Sequence, residues 1–450
     1  MARSLVRNAI AHAILKAKPS DRCSRGWGRS ISLKSSFTAT LVGVLFFPQR
    51  ESLKLDGRKY DSQLLELLIL ASGSCKSFSI AAKLVQSFLP LEISSKQLSE
   101  LTTLVGNELR EARDLRTEVW NNRQLTDPKT VADPPPQLAC VQIDGGRIQT
   151  RDVGGGHGVF NPHWRETKNA SFHRMATESF DVDPHPELPG CFSSRKNMGE
   201  LLVGLGESPD EGESHIENAN IKPDFSWRPQ PLFRSCLSSM ACSDDFGPMM
   251  AAEANQRGFF TAPRRAFLGD GLSYNWTIHR NHFSTFTPIL DFIHPIEHLY
   301  EVSQAITPDR DAAWEQTVSW IGECWQGRVD DVIGVLKTKQ IAIGLPSEDT
   351  EETDARKVLA DTIGYLVNNQ SRMNYPQYRK QGLPMTSCLI ESQIKEMNHR
   401  VKGTEKFWND GEQAEAILQV VTALLSDEDQ ISNHFQTRPG SPYNRTRTPK

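Results

Sequence analysis

The sequence has no run of eighteen or more apolar residues, so it offers no candidate for a membrane-spanning helix. Its eight cysteines are scattered, and no two of them have the C-x-x-C spacing of a zinc ribbon. Scattered cysteines are typical of a reduced intracellular protein with buried thiols. We therefore expect a cytoplasmic protein with no membrane partner and no structural zinc site.

A phosphate-binding loop is also missing. The glycine-rich stretch GGGHG at residues 154–158 is not followed by Gly-Lys-Ser/Thr, and no helix is expected to begin there. The histidines around it follow no regular metal-ligand spacing; they are His157, His163, His173 and His185. This region is therefore not expected to bind nucleotide phosphates or zinc.

Acidic residues are scarce in the first 60 positions, which hold Asp21, Glu51 and Asp56 against twelve Lys and Arg. The formal net charge of the whole chain is -4, so the protein is not a basic nucleic-acid coat throughout. A basic arm over residues 1–50 has several interpretations. It is typical of a polyanion-binding segment, of a solvated arm, of an Arg-rich transit peptide, or of a gene start assigned too far upstream.

A helical pattern covers residues 61–122, with apolar residues at helical spacing. Ser94 and Gln97 form a capping box at the start of the last of three helices. Three short helices with a tight turn are typical of a helix-turn-helix DNA-binding unit, although trihelical packing without DNA has the same pattern. The proline-rich linker 131–137 then ends the helical region.

Two apolar runs each lead into an Asp-Gly pair. The first covers residues 138–143 and is closed by Asp144, and the second covers residues 266–268 and precedes Asp270. A single Asp-Gly can be a plain hairpin turn, but here the same phrase occurs twice. Acidic side chains at the ends of buried strands are where α/β enzymes often gather their chemistry.

The stretch 263–300 is predicted to be strand, turn, irregular link, strand and helix, and its second strand carries Asp291 and, three residues later, His294. Residues 181–255 are polar and are expected to form an insertion of loops and short helices. A late helix carries Glu391, flanked by an apolar stripe. The stripe consists of Ile390, Ile394, Met397 and Val401.

Asp144, Asp270 and Glu391 are far apart in sequence, but a fold that brings them together could hold two Mg²⁺ ions. Two ions roughly 3.5–4 Å apart stabilise the attacking and leaving oxygens of an in-line phosphoryl transfer. Without metal, three close carboxylates would raise one another's pKa.

These motifs resemble an insertion-sequence DDE transposase with an RNase H-like core, similar to the bacterial groups related to Mutator elements. The resemblance rests on strand-Asp-Gly, on LGDGLSYNW with DFIHPIEHLYE, and on YRKQGLPMTSCLIESQIKEMNHRVKGTEKFW. It implies that Asp144, Asp270 and Glu391 are the catalytic metal ligands and that His294 lies near the scissile phosphate. A W-x-E-x-K phrase of the family matches Trp164, Glu166 and Lys168.

The resemblance also implies Mg²⁺, replaceable by Mn²⁺, as cofactor, double-stranded DNA as substrate, and at least a dimer. It implies a nucleoid-associated location in the cytoplasm. The cations around Glu391 are expected to contact phosphates. They are Arg372, Arg379, Lys380, Lys395, Arg400, Lys402 and Lys406. A solvated basic face is the alternative for these cations. For the whole chain, the alternatives are an inactive DNA-binding descendant and an RNase H-like nuclease that cuts without joining.

The expected fold class is α/β, an RNase H-like mixed sheet with a helical insertion, preceded by an all-α helix-turn-helix-like domain. The expected segments are a basic arm (1–50), a helical domain (51–130), the first part of the core (138–300) with its loop insertion (181–255), the helical insertion (301–370), the final core helices (371–430) and a disordered tail (431–450).

Overall fold

The computed structural model of the chain describes residues 60–122, 136–151, 162–195, 198, 228–386, 388–402, 408 and 411–438. The predicted basic arm at 1–50 lies outside these residues. Across the described ranges, no helix combines the length and the apolar character needed to cross a bilayer.

The described residues form a mixed α/β structure with a five-stranded sheet. The strands are β1 (Leu138–Arg151), β2 (Pro162–Ala176), β3 (Gln230–Ser239), β4 (Arg264–Gly269) and β5 (Thr287–Leu290). Their spatial order is β3-β2-β1-β4-β5. β1, β2 and β3 pair antiparallel, whereas β4 lies parallel to β1, and β5 parallel to β4.

Helices precede, interrupt and follow the sheet. Those of the first half are α1 (Ser62–Ser74), α2 (Phe78–Phe88), α3 (Ser95–Asn121), α4 (Ser243–Gln256), α5 (Ser273–His282) and α6 (Ile293–Ile306). Those of the second half are α7 (Arg310–Trp325), α8 (Val329–Ile343), α9 (Ala355–Asn369), α10 (Tyr375–Lys380), α11 (Cys388–Val401), α12 (Gly411–Leu425) and α13 (Gln430–Thr437).

The sheet is covered on both faces, and β1 contributes side chains to two different apolar clusters. Val141 belongs to the large cluster that contains Phe246 of α4 and Phe267 of β4. Ile148, of opposite parity, packs with Met397 of α11 and Leu418 of α12. The late helices therefore pack on the face of β1 that carries its even-numbered residues.

The amino-terminal helices do not have a core of their own. Leu65 and Leu98 share an apolar cluster with Val420 of α12 and Phe435 of α13. The third helix is also long, at 27 residues, rather than short as predicted. Its second half is held by distant partners, because Arg113 pairs with Glu415 at 2.6 Å and Trp120 stacks on Phe260.

Three further predictions are wrong. Part of the predicted loop insertion at 181–255 is β3 and α4; exposure of the outer half of β3 and Pro248 inside α4 weaken their sequence patterns. The predicted irregular link after Gly271 is α5, a helix that lacks a leucine stripe. The predicted disordered tail begins with α13, where Ile431 and Phe435 are buried.

Candidate active site

Asp144 and Asp270 lie at equivalent positions of adjacent parallel strands. The last register pair between β1 and β4 joins Gln142 to Leu268, and each aspartate lies two residues beyond its member of that pair. Because the two strands are parallel and in register, Asp270, directly after β4, lies beside Asp144, in the middle of β1. The sheet therefore brings together two acids that are separated by more than a hundred residues, as the sequence predicted.

Neither Asp-Gly pair is a hairpin turn. β1 does not end at Asp144, because it continues through Gly145 and Gly146 to Arg151. Glycines fit there because a Cβ on Gly146 would lie 2.7 Å from the Thr167 hydroxyl oxygen. The prediction that Asp144 closes its strand is therefore wrong, although its place beside Asp270 is as expected.

The second Asp-Gly pair leads from β4 into α5 and is held in place by several contacts. The Asp270 carboxylate accepts hydrogen bonds from Leu272 N at 3.0 Å and from Asn275 Nδ2 at 2.7 Å. Its backbone carbonyl accepts one from the Tyr365 hydroxyl at 2.8 Å. Gly271 has φ +103°, and a Cβ there would lie 2.6 Å from the Tyr365 ring. Tyr365 belongs to α9, so the helical insertion directly positions the Asp270 loop.

Glu391 is tied to the same strand through Gln142. Ile390 N donates to Gln142 Oε1 at 3.1 Å, and Gln142 Nε2 donates to the carbonyl of Thr386 at 3.4 Å. Gln142 is fully buried, and it shares a strand face with Asp144, two residues away. The first turn of α11, which carries Glu391, is therefore fixed beside Asp144. Sequence reasoning missed Gln142 because it read this residue only as part of a strand alternation.

His294 supplies a positive charge to this edge of the sheet. Its Nδ1 lies 3.0 Å from Glu297 Oε2, and its Nε2 lies 3.8 Å from the fully buried carboxylate of Asp291. Burial favours the neutral ring, but the hydrogen bond to Glu297 and the charges of Asp291, Asp270 and Glu297 raise the pKa of His294 to about 9. The imidazole is therefore protonated at neutral pH.

The acids are near enough to disturb one another. Burial, followed by the negative charge of Asp270 and with a smaller effect from Glu391, raises the pKa of Asp144 to about 7 against an opposing effect of His294. Burial also raises the pKa of Asp270, and the charge of Asp291 adds to that. The metal-free site therefore disfavours full ionisation of its carboxyl groups.

A divalent metal ion is the ligand that these three acids could hold. The donor set of Asp144, Asp270 and Glu391 consists of carboxylate oxygens, which suit Mg²⁺ and Mn²⁺. Within the described ranges, no three or more His, Cys, Asp or Glu side chains already have an arrangement that could hold a metal ion. The residues fit the metal by the chemistry of their donor atoms.

Next to the acids lies a second group of polar side chains, which belong to β2 and α5. The buried Lys168 Nζ lies 2.9 Å from Glu166 and 5.2 Å from the centroid of the Tyr274 ring. Burial and the charges of Asp270, Glu166 and Asp144 raise the pKa of Tyr274, which remains protonated. Sequence reasoning missed Tyr274 because the segment after Gly271 was predicted to be an irregular link and not a helix.

Two of the predicted DNA-contacting arginines are buried structural residues, so that prediction is wrong for them. Arg379 is fully buried, donates from Nε to Asp183 at 2.7 Å, and lies over the Trp325 ring. Arg400 is 4 % exposed, donates from Nε to the Ser72 carbonyl, and lies over the Phe78 ring. Burial lowers the pKa of Arg400 to about 10.

The other predicted cations differ in exposure. Arg372 is half-buried, lying over the Trp276 ring at 4.3 Å and bonded to the Asn368 carbonyl. Lys395 is exposed, and Lys380 and Lys402 are half-buried. Lys406 lies outside the described residues.

No protein-family description matches the chain, and no curated protein matches it significantly.

Proposed function

We propose that the protein is a DDE transposase that cleaves and joins DNA strands with Mg²⁺, on an RNase H-like core. The observation that carries the proposal is the placement of the three acids. Asp144 and Asp270 occupy equivalent positions on adjacent parallel strands, and Glu391 follows directly after the residue that Gln142 binds. The family that the motifs resemble is expected to have two acids on adjacent core strands, a late helical glutamate and a helical insertion between them.

The order and direction of the strands and the position of the insertion helices also support this proposal. Three antiparallel strands followed by two that lie parallel to the first make a mixed sheet, as expected for an RNase H-like core. The insertion helices α7, α8 and α9 lie in sequence between Asp270 and Glu391, and Tyr365 of α9 holds the loop of Asp270.

Asp144, Asp270 and Glu391 would hold the metal, which supplies charge neutralisation and activation of an oxygen nucleophile when bound. Around it, the residues of this chain have separate tasks. His294, protonated at neutral pH, presents a positive charge to a phosphate oxygen or a proton to a departing 3′-oxygen. Asn275 and Tyr365 fix the Asp270 loop, and Gln142 fixes the entry of the Glu391 helix.

The test is incubation of the protein with supercoiled plasmid that carries the gene and its flanking DNA, in Mg²⁺ or Mn²⁺. Nicked and joined products support the proposal. Nicking without joining supports a nuclease, and binding without nicking supports an inactive DNA-binding protein. Metal binding has its own readout, because Mg²⁺ should raise the unfolding temperature of the wild type and not that of Glu391→Gln.

A further inference from the structure

Two long segments of the sequence contain no acidic residue, although 55 of the 450 residues of the chain are Asp or Glu. The first covers residues 271–290 and includes α5, and the second covers residues 362–390 and includes the end of α9 and all of α10. The fold brings the two segments together, because the Arg372 guanidinium lies 4.3 Å from the centroid of the Trp276 ring. The contact therefore joins two parts of the chain that lack negative charge.

Arg280 and Arg372 are cations of this contact, and neither has a carboxylate partner among the described residues. Arg280, near the end of α5, is exposed and donates from Nη2 to the Thr277 hydroxyl at 3.3 Å. Arg372 is half-buried and donates from Nη1 to the Asn368 carbonyl at 2.8 Å and to Asn369 Oδ1 at 3.2 Å. Both partners of Arg372 are neutral, so its charge is not compensated by them.

The two guanidinium groups are near enough to affect each other. Burial lowers the pKa of Arg372, and the charge of Arg280 lowers it further, while Tyr378 opposes the change. Burial also lowers the pKa of His279, to which the charges of both arginines contribute, so this neighbouring ring is neutral at pH 7. Like charges that share a site without a counter-ion cost stability, and a bound anion relieves that cost.

Arg372 is held at a fixed place relative to the candidate active site. Asn369, which accepts a hydrogen bond from Arg372, is buried and donates from Nδ2 to the Tyr365 carbonyl at 3.0 Å. The Tyr365 hydroxyl in turn donates to the carbonyl of Asp270. The helical path from Tyr365 to Arg372 corresponds to about 10 Å, or about three nucleotide steps of a duplex strand. A DNA strand bound at the acids could therefore extend to Arg372.

The donors that Arg372 leaves open form the edge of the guanidinium that suits an anion. Its hydrogen bonds to described residues come from Nη1 alone, so Nε and Nη2 keep N–H groups for another partner. These two nitrogens share one edge of the planar group. Parallel N–H groups on that edge match two oxygens of a phosphate.

We propose that Arg280 and Arg372 together bind one phosphate group of a DNA backbone, with Arg372 as the forked donor and Arg280 as the second charge beside it. A phosphodiester fits the site because it presents two unesterified oxygens to the fork and one negative charge to the pair of cations. The inference rests on the proposed function only for the identity of the polyanion. The sequence pattern predicted a DNA contact for Arg372 and did not single out Arg280.

The test measures binding of a short fluorescein-labelled DNA duplex by fluorescence anisotropy, in a chelator, so that no cleavage takes place. Arg372→Gln should weaken binding roughly tenfold, as expected for loss of a charged hydrogen-bond donor. Arg280→Gln should weaken it less, because this exposed side chain supplies charge without the fork. In the double variant the slope of log affinity against log salt should fall by about one, since one phosphate contact is lost. Lys337→Gln, which removes an exposed cation of α8, is the matched control and should leave affinity and slope unchanged.

Two arginines that serve one phosphate should also be coupled. The loss of affinity in the double variant should therefore be smaller than the product of the two single losses. Unchanged affinity in both single variants would overturn the proposal. Normal binding by Arg280→Gln alone would remove Arg280 from the site, even if Arg372→Gln failed to fold. A loss of stability in Arg372→Gln with normal DNA affinity would show that Arg372 is a structural partner of Trp276.

Inorganic phosphate is the second probe, because a free phosphate compound has the same chemistry as a backbone phosphate. If inorganic phosphate raised the unfolding temperature of the wild type but not of the double variant, while the two bound DNA equally, the site would belong to a small phosphate ligand. That result would overturn the assignment to DNA.

Failure of this inference is distinguishable from failure of the proposed function. Asp144→Asn should bind the duplex like the wild type, because the acids take no part in the phosphate site. If the plasmid is never nicked but duplex binding depends on both arginines, the transposase proposal fails and the phosphate site stands. If nicking occurs and both arginine variants bind the duplex normally, the phosphate site fails and the transposase proposal stands.

Discussion

The acid within β1, the acid directly after β4 and the arginines of α10 and α11 are all charged side chains partly or fully shielded from solvent, but their surroundings differ. Arg379 has a carboxylate, a carbonyl and an indole as partners. The pKa of Asp144 is raised by burial and, in addition, by the charges of Asp270 and Glu391. The arginines are satisfied inside the protein, whereas the acids repel one another.

The difference is the one expected between structural charges and the functional charges that the proposed function requires. A buried charge whose partners are all present in the chain stabilises the fold, and removing it leaves a partner uncompensated. A cluster of like charges costs stability and persists where a ligand such as a metal ion relieves the repulsion. Substitutions should therefore have opposite consequences in the two regions: loss of activity at the acids, and loss of stability at the arginines.

The largest effect is expected from neutralising the acids one at a time. Asp144→Asn, Asp270→Asn and Glu391→Gln should each reduce Mg²⁺-dependent nicking by about a thousandfold or more, because each removes a ligand that stabilises the transition-state charge. Affinity for DNA, measured by gel shift in a chelator, should change little. A variant with near-normal nicking would remove that residue from the metal site.

Arg379→Met should instead destabilise the fold by about 3–5 kcal/mol, because it leaves the Asp183 carboxylate without its bidentate partner. Urea denaturation measures the loss. The matched control is Lys395→Met on the exposed side of α11, which should change stability by less than about 0.5 kcal/mol. If Arg379→Met were as stable as the wild type and bound DNA poorly, Arg379 would be a DNA-contacting residue, as the sequence predicted, and not a structural one.

The sequence was sufficient where local signals agreed. Short apolar runs before Asp144 and Asp270 predicted two strands, and the apolar stripe beside Glu391 predicted its helix. The meeting of the two acids was implied by the family resemblance and not by these local patterns. The burial of the arginines could not be predicted in this way. Arg379 and Asp183 are 196 residues apart in sequence, and Arg400 and Ser72 are 328 apart. Nothing in the spacing around a single arginine reports a partner at such a distance.

The strand β3 and the helix α5 were not predicted from the sequence, for a related reason. β3 is exposed along its first half, so its residues lack the clear alternation of a half-buried strand. The helix α5 buries Asn275 and Trp276 without a regular apolar stripe. In both elements the fold is decided by contacts with neighbours, which override a weak local pattern.

The acids should also give the metal-free protein a distinctive dependence of stability on pH. The pKa of Asp144 is raised from 3.8 to about 7, so between these values the folded state binds more protons than the unfolded state. Its contribution to stability therefore falls as pH rises from about 4 to 7. In a chelator, Asp144→Asn should be more stable than the wild type at pH 8 by about 1–3 kcal/mol, and the two should converge near pH 4.

Addition of Mg²⁺ at pH 8 provides the control, since it should stabilise the wild type and remove much of that difference. A stability difference between wild type and Asp144→Asn that stays constant from pH 4 to pH 8 would show that the pKa of Asp144 is not raised in the folded protein.

The smallest effect is expected at Gln142, which touches neither DNA nor metal in the proposed arrangement. Gln142→Met keeps the length of the side chain but removes both hydrogen bonds to the segment that leads into α11. Because Glu391 would then be less firmly placed, nicking should slow by about tenfold, as expected for small displacements of a catalytic group. Gln142→Glu, which keeps the acceptor for Ile390 N, should recover part of the rate. Single-turnover nicking at saturating DNA measures this rate. An unchanged rate in Gln142→Met with normal stability would show that Glu391 is held in place without the two hydrogen bonds of Gln142.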